Sequence, residues 1–142
     1  MFVESPQFEN SNIQYSADIA KLLRVAGEDA QADALINAAL AWHKANHPAG
    51  VWGYLLNIID VELLAIAGQE QEALERLAAA VDYGWRADWP FFINNRNLES
   101  IADDVEFKRL SAVLASDMAR QRDAIMALPD LGEYDLRDKK NE

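Results

Sequence analysis

The sequence predicts an all-α protein: a right-handed array of two helical hairpins, closed by a short helix and a long C-terminal capping helix. An internal repeat supports this fold class, because residues 22–40 match residues 63–81 at a constant offset of 41 residues. Apolar residues within each copy recur with a period near 3.6, which is typical of amphipathic helices. The two copies therefore predict two similar helical units.

Glycines divide each copy into two helices. Gly27 and Gly68 occupy equivalent positions, and Gly84 follows the second copy. Glycine readily adopts the left-handed conformation that ends a helix. The predicted helices are 13–26 and 29–46 in copy one, and 51–54 to 67 and 70–83 in copy two. The apolar positions of the first helix mark one of its faces: Tyr15, Ile19, Leu22, Leu23 and Ala26.

Alanines at equivalent positions predict close packing within the hairpins. Ala32 and Ala39 lie seven residues apart, as do Ala73 and Ala80, so each pair shares one helix face. Small side chains there allow two helices to approach closely. The first helix of copy two is apolar almost all round, which predicts that it lies in the middle of the array.

The region after Gly84 departs from the repeat. Aromatic residues cluster around Pro90, and a short helix is predicted over 98–102. Asp103 and Asp104 are predicted to cap a long helix over 105–128. Its apolar face is formed by Phe107, Leu110, Val113, Leu114, Met118, Ile125 and Met126. The domain is thus predicted to span 13–128, with a flexible segment over 1–12 and a loose tail over 129–142.

Composition and charge exclude several function classes. The chain has 142 residues and no cysteine, which excludes a disulfide scaffold, a thiolate metal site and a cysteine nucleophile. Its 24 acidic and 13 basic residues give a net charge of −11, which opposes binding to nucleic acid or to an anionic membrane. The longest uncharged stretch, 45–59, is too short to span a bilayer, and we expect no signal peptide. A cytoplasmic location is favoured, although an extracytoplasmic domain of a membrane-anchored regulator is also compatible with the sequence.

The spacing resembles that of the tetratricopeptide repeat (TPR) family over residues 13–83. The second-helix pattern of that family, a small residue followed by an apolar one and another small one, is matched by Ala32, Ile36 and Ala39 and again by Ala73, Leu77 and Ala80. The first-helix positions are degenerate and carry no tryptophan. The resemblance implies a protein-interaction module without catalytic residues, cofactor or metal.

A second resemblance concerns the end of the repeat. Tyr83-Gly84-Trp85 and the stretch 97–110 are similar to the close of repeat arrays in bacterial adenylate cyclase-like proteins and winged-helix regulators, with Val105 where that pattern has proline. It implies a regulatory or sensory module of a larger signalling protein. It does not imply cyclase activity, because the chain contains no cyclase segment.

The resemblance also implies a peptide-binding groove along the first helices. Lys21 and Arg24 lie three residues apart on the first helix and could grip an acidic peptide. The remaining predicted groove residues are Gln14, Ala17, Leu55, Ile58 and Glu62. The alternative for the two bases is an ordinary solvated helix face.

Two further hypotheses compete with peptide binding. Homo-oligomerisation would bury exposed members of the aromatic cluster, for which Trp85, Trp89 and Phe92 are the candidates. A small metal-dependent hydrolase would use His43, His47 and Asp60, since the histidines lie four residues apart on one predicted helix. The ordinary alternatives are packing between hairpins for the aromatic residues, a helix C-terminus for the histidines, and an arginine partner for Asp60. No phosphate-binding glycine loop or serine nucleophile motif is present in the sequence.

Overall fold

A computed structural model describes residues 7–9, 12–46, 58–86 and 89–128 of the chain. This part of the chain contains helices and no strand, so the all-α prediction is confirmed. The α-helices are α1 Ser16–Val25, α2 Asp29–Asn46, α3 Ile59–Ile66, α4 Glu70–Asp82, α5 Trp89–Phe92 and α6 Val105–Met126. Two 3-10 helices, Ile13–Tyr15 and Arg96–Leu98, precede α1 and follow α5.

Helices α1 and α2 form hairpin 1, and α3 and α4 form hairpin 2. Their boundaries agree with those predicted from the repeat, except that α3 begins at Ile59, after a non-helical Ile58, whereas the helix was predicted to start at 51–54. Residues 47–57 lie outside the described residues. The short helix α5 was not predicted, and the short helix predicted over 98–102 is wrong: the structure has a 3-10 helix over Arg96–Leu98 followed by turns. The predicted tail over 129–142 and residues 1–6 of the N-terminal segment also lie outside the described residues, whereas Phe8 packs against hairpin 1.

The glycine at each helix joint is left-handed, as predicted. The φ angles of Gly27, Gly68 and Gly84 are 79°, 76° and 95°. At the first joint, Glu28 N donates to Leu23 O at 2.9 Å and Gly27 N donates to Arg24 O at 3.1 Å. This pair of bonds satisfies carbonyl groups that the helix end leaves unpaired, and the other two glycines carry the same pair. The three joints are therefore built alike.

The predicted alanine contacts are confirmed. Ala32, Ala39, Ala73 and Ala80 are all completely buried. They belong to the packed interior of the two hairpins. This interior is divided into two hydrophobic clusters. One cluster is centred on hairpin 1, and the other is formed by hairpin 2, α5, the turns that follow α5, and α6. Helix α3 supplies side chains to both clusters and therefore lies between them.

Helix α1 buries a different face from its large apolar one. Ile13, Ala17 and Ala20 are buried against α2 and α3, while Tyr15 and Leu22 are 55% and 67% exposed. The small residues face inward because they permit the close approach of both neighbouring helices. Ile19, Leu22 and Val25 are consequently left on the surface, whereas Leu23 is half-buried against the cluster of hairpin 1.

Helix α6 packs against hairpin 2. Asp104 caps it as predicted, its Oδ1 accepting a hydrogen bond from Glu106 N at 2.7 Å. Phe107, Leu110 and Leu114 are buried, whereas Ile125 and Met126 are exposed. The apolar face predicted along the whole helix therefore packs only in its first half, because the second half extends beyond the elements it covers.

Candidate functional site

The predicted groove bases line a pocket of about 300 Å³ between α1, the end of α3 and the turn after the second 3-10 helix. Lys21 and Arg24 come from α1, and α1 does lie beside α3, as the repeat predicted. The other lining residues are Ala65, Ile66, Gly68, Asn97 and Ser100. Two positive charges thus border one concave surface.

Both bases are held by acidic residues of the same chain. Arg24 Nη1 lies 3.1 Å from Asp29 Oδ1, and Arg24 Nη2 lies 2.5 Å from Asp33 Oδ1. The hydrogen bonds that Arg24 donates to these carboxylates raise its pKa, and the bond to Asp33 has the largest effect. Lys21 Nζ lies 3.2 Å from Glu99 Oε2. An acidic peptide would have to displace these carboxylates, so the pocket offers less net positive charge than the sequence suggested.

A buried polar node lies beneath the pocket. Asn97 Nδ2 donates to Glu62 Oε2 at 2.6 Å and to Asp18 Oδ1 at 2.8 Å. Burial raises the pKa of the Glu62 carboxyl, the hydrogen bond from Asn97 opposes that rise, and the charge of Asp18 adds to it. The node ties the second 3-10 helix to α1 and α3, which fits a positioning role in the fold.

Most of the other predicted groove residues do not lie on this surface. Ala17, Ile58 and Glu62 are buried, because α1 and α3 turn these positions toward neighbouring helices. Gln14 is exposed, and Leu55 lies outside the described residues. The predicted groove is therefore corrected: within the described chain, Ala17, Ile58 and Glu62 are core residues rather than groove residues.

The predicted interface aromatics also require correction. Trp85 and Phe92 are buried and pack edge to face, with ring centroids 5.0 Å apart and planes at 74°. Trp89 is half-buried against the same cluster. Phe91 is the exposed aromatic of α5. The cluster is thus mainly a core that joins α5 to hairpin 2.

His43 and Asp60 come together between α2 and α3. Both side chains are buried, and Arg76 Nη1 lies 3.9 Å from Asp60 Oδ2. Burial raises the pKa of Asp60, and the electrostatic interactions of Asp60 with His43 and Arg76 oppose that rise. His47 lies outside the described residues. Within the described ranges, no group of three or more histidine and acidic side chains is arranged to hold a metal ion.

An ion-pair network missed by sequence reasoning fixes α6 to the end of α4. Arg86 donates to Asp117 and also to the Val81 and Trp85 carbonyl oxygens, and Arg120 contacts the same carboxylate. The hydrogen bonds from Arg86 and Arg120 lower the pKa of Asp117. These residues border a second pocket of about 390 Å³. Because Arg86 satisfies carbonyls at a helix end, its primary role is structural.

Helix α1 leaves an apolar face exposed to solvent, although apolar helix faces are normally expected to be buried. We define the outer face of α1 as Ile19, Leu22 and Val25 of the helix, together with Tyr15 just before it and Ala26 just after it, all of them exposed. Ile19 is 39% exposed and Val25 is 77% exposed, and Tyr15 and Leu22 are 55% and 67% exposed. The spacing of these residues was visible in the sequence, but their outward orientation was not.

Comparisons with protein-family models, with characterised proteins and with solved structures find no match to this chain. Its site is therefore interpreted from its own geometry. Among the described helices, none combines the length and the apolar character needed to cross a bilayer.

Proposed function

We propose that the chain is a non-enzymatic protein-interaction module built from two TPR-like hairpins. The observation that carries the proposal is the outer face of α1, where four large apolar side chains are left exposed on a well-defined helix. Single exposed apolar residues are ordinary, but a contiguous group of them marks a surface that binds another protein. The face thus supports partner binding.

The spacing of these side chains favours a helical or hairpin-shaped partner surface. Tyr15, Ile19 and Leu22 are separated by four and three residues, so they form a stripe along α1. Each buried aliphatic side chain of this size contributes about 1.5–3 kcal/mol when it leaves water. The stripe can therefore supply most of the binding free energy without any charged contact.

The charge distribution supports the same proposal. The chain carries a net charge of −11, and the five residues of the outer face are uncharged, with the exposed Asp18 beside them. The acidic remainder of the surface would repel acidic proteins and would favour partners that approach this neutral face. The regulatory or sensory role implied by the resemblance to bacterial regulators is part of the proposal.

Site-specific photo-cross-linking tests this function. A benzophenone amino acid at position 22 is compared with one at Ala115, an exposed residue of α6 at the opposite end of the array. We expect a defined adduct at position 22 but not at position 115. The cross-linked protein is then purified, and Leu22→Asp should weaken its affinity at least tenfold while Ala115→Asp should not.

Two results would count against the proposal. Equal affinity of the wild type and Leu22→Asp for the purified partner would remove the outer face as the binding surface. A stoichiometric metal ion in the purified protein, held by His43 and Asp60 and accompanied by hydrolase activity, would favour the enzymatic alternative. Homo-oligomerisation would be recognised by an adduct between two copies of the chain.

A further inference from the structure

We propose that the outer face of α1 docks a helical hairpin of a partner protein, in the same way that hairpin 1 docks against α3 inside this molecule. The inference rests on the proposed function and names the partner by its chemistry. The contact face of that hairpin would carry small and branched aliphatic side chains. The internal interface between the hairpins supplies the argument.

The internal interface is built on Ile59, at the start of α3, and on three residues at its end. Leu63 is completely buried, and Ile66 and Ala67 pack with it against the cluster of hairpin 1. Hairpin 1 covers them with residues of both its helices, among them Ala20 from α1 and Ile36 from α2. Hairpin 1 thus covers the end of α3 with two helices rather than one.

Hairpin 1 presents matching side chains at three of the four equivalent positions, and the counterpart of Ile59 is the exposed Asp18. Subtracting the repeat offset of 41 residues places Leu22 at the position of Leu63, Val25 at that of Ile66 and Ala26 at that of Ala67. Leu63 is 0% exposed and Leu22 is 67% exposed. The side chains that α3 buries against hairpin 1 therefore have counterparts on α1 that point to solvent.

A second copy of this chain does not fit the role of the partner. Within this molecule, the surface that fits these side chains is the inner face of hairpin 1, formed by Ile13, Ala17, Ala20, Leu35, Ile36 and Ala39. That face is covered by α3 of the same chain, so another copy could offer it only by unfolding. We therefore assign the docking surface to a hairpin of a different protein or protein segment that carries an uncovered face of this chemistry.

A duplication of the repeat tests whether the face accepts such a hairpin. Residues 1–52 are followed by residues 12–142, which adds one hairpin in front of the full chain and keeps the 41-residue spacing. We expect a single cooperative unfolding transition, an increase of about one quarter in the denaturant m-value, and a higher midpoint. Amides of the inner copy of α1 should gain at least tenfold protection from hydrogen exchange.

Matched variants identify the surface responsible. Leu22→Lys in the inner copy should separate the added hairpin into its own transition, whereas Ala115→Lys should leave one transition. Because Leu22 is exposed in the unduplicated 142-residue chain, Leu22→Lys should fold there with nearly unchanged stability. Separate transitions in the unmutated duplication, or unchanged α1 protection, would overturn the inference.

Sedimentation of the unduplicated 142-residue chain provides the second arm. We expect a monomer, and a dimer that Leu22→Lys dissociates would overturn the assignment to a partner hairpin. Failure of this inference is distinguishable from failure of the proposed function. If a partner is cross-linked at position 22 but the added hairpin of the duplication unfolds separately, the proposed function is retained and only the hairpin nature of the partner is rejected.

Discussion

Asn97 is the residue whose substitution tests the buried node most directly. Its Nδ2 group donates to Asp18 and to Glu62 at 2.8 and 2.6 Å, and its side chain is buried. The substitution Asn97→Asp keeps the shape of the side chain but replaces this donor by an oxygen. At neutral pH, three carboxyl groups would then meet where two carboxylates now share one amide.

The magnitude follows from the two bonds and from the proton that the variant must take up. Hydrogen bonds to charged acceptors contribute about 1.5–3 kcal/mol each. Three adjoining carboxylates would avoid mutual repulsion by binding a proton, and holding a proton on an aspartate at pH 7 costs up to about 4 kcal/mol. The protonated side chain can still donate one bond. We therefore expect a destabilisation of about 4–6 kcal/mol at pH 7, and of about 1.5–3 kcal/mol near pH 4, where the cost of protonation vanishes.

Urea unfolding followed by tryptophan fluorescence measures this difference at both pH values. The control is Asn94→Asp, which adds the same charge at an exposed position where the amide donates to Pro90 O. The control should lose at most about 1 kcal/mol, with little dependence on pH. A loss below about 1 kcal/mol for Asn97→Asp at pH 7, or an equal loss at both pH values, would refute the role assigned to the node.

Three further predictions concern stability. Gly68→Ala should lose about 1–2 kcal/mol in thermal melts purely through its backbone conformation, because φ is +76° and no atom lies within 4 Å of an added Cβ; an unchanged melting temperature would contradict this. Ala80→Leu should cost about 1–3 kcal/mol by overpacking a completely buried position, whereas Ala112→Leu on the exposed side of α6 should be nearly neutral, and equal effects would contradict the packing assignment. Burial raises the pKa of Glu62, so the folded state binds more protons than the unfolded state above a pH of about 4.3, and stability falls as the pH rises through that window. Glu62→Gln should therefore be more stable than the wild type at pH 7 and equal to it at low pH, and the reverse order in denaturant titrations would reject this sign.

Much of the fold was predictable because the repeat encodes it locally. The glycines at 27 and 68 and the alanines at 39 and 80 each act within one hairpin, where sequence spacing fixes the geometry. Helix α5 escaped prediction because Pro90 usually interrupts a helix, although proline is tolerated in the first helical turn, where it lies here.

The site was less predictable because its partners are distant in sequence. The repeat placed Lys21 on a surface next to α3, but its partner Glu99 lies 78 residues further along the chain. Helix α1 packs closely against its neighbouring helices, and close packing requires small side chains at the contacts. Ala17 and Ala20 are therefore buried, whereas Leu22 faces solvent. No local periodicity contains that information, since both faces of α1 are apolar.

The position of α3 between the two clusters has a consequence for synthesis of the chain. Leu63 completes the cluster of hairpin 1, while Val61 and Leu64 belong to the other. An eight-residue helix is not stable by itself, so α3 forms only as these clusters assemble around it. During translation, hairpin 1 therefore leaves the ribosome with its inner face uncovered and keeps it uncovered until residue 66 has emerged. For that interval the nascent chain exposes an apolar surface that the finished protein hides, and this makes it a transient target for chaperones.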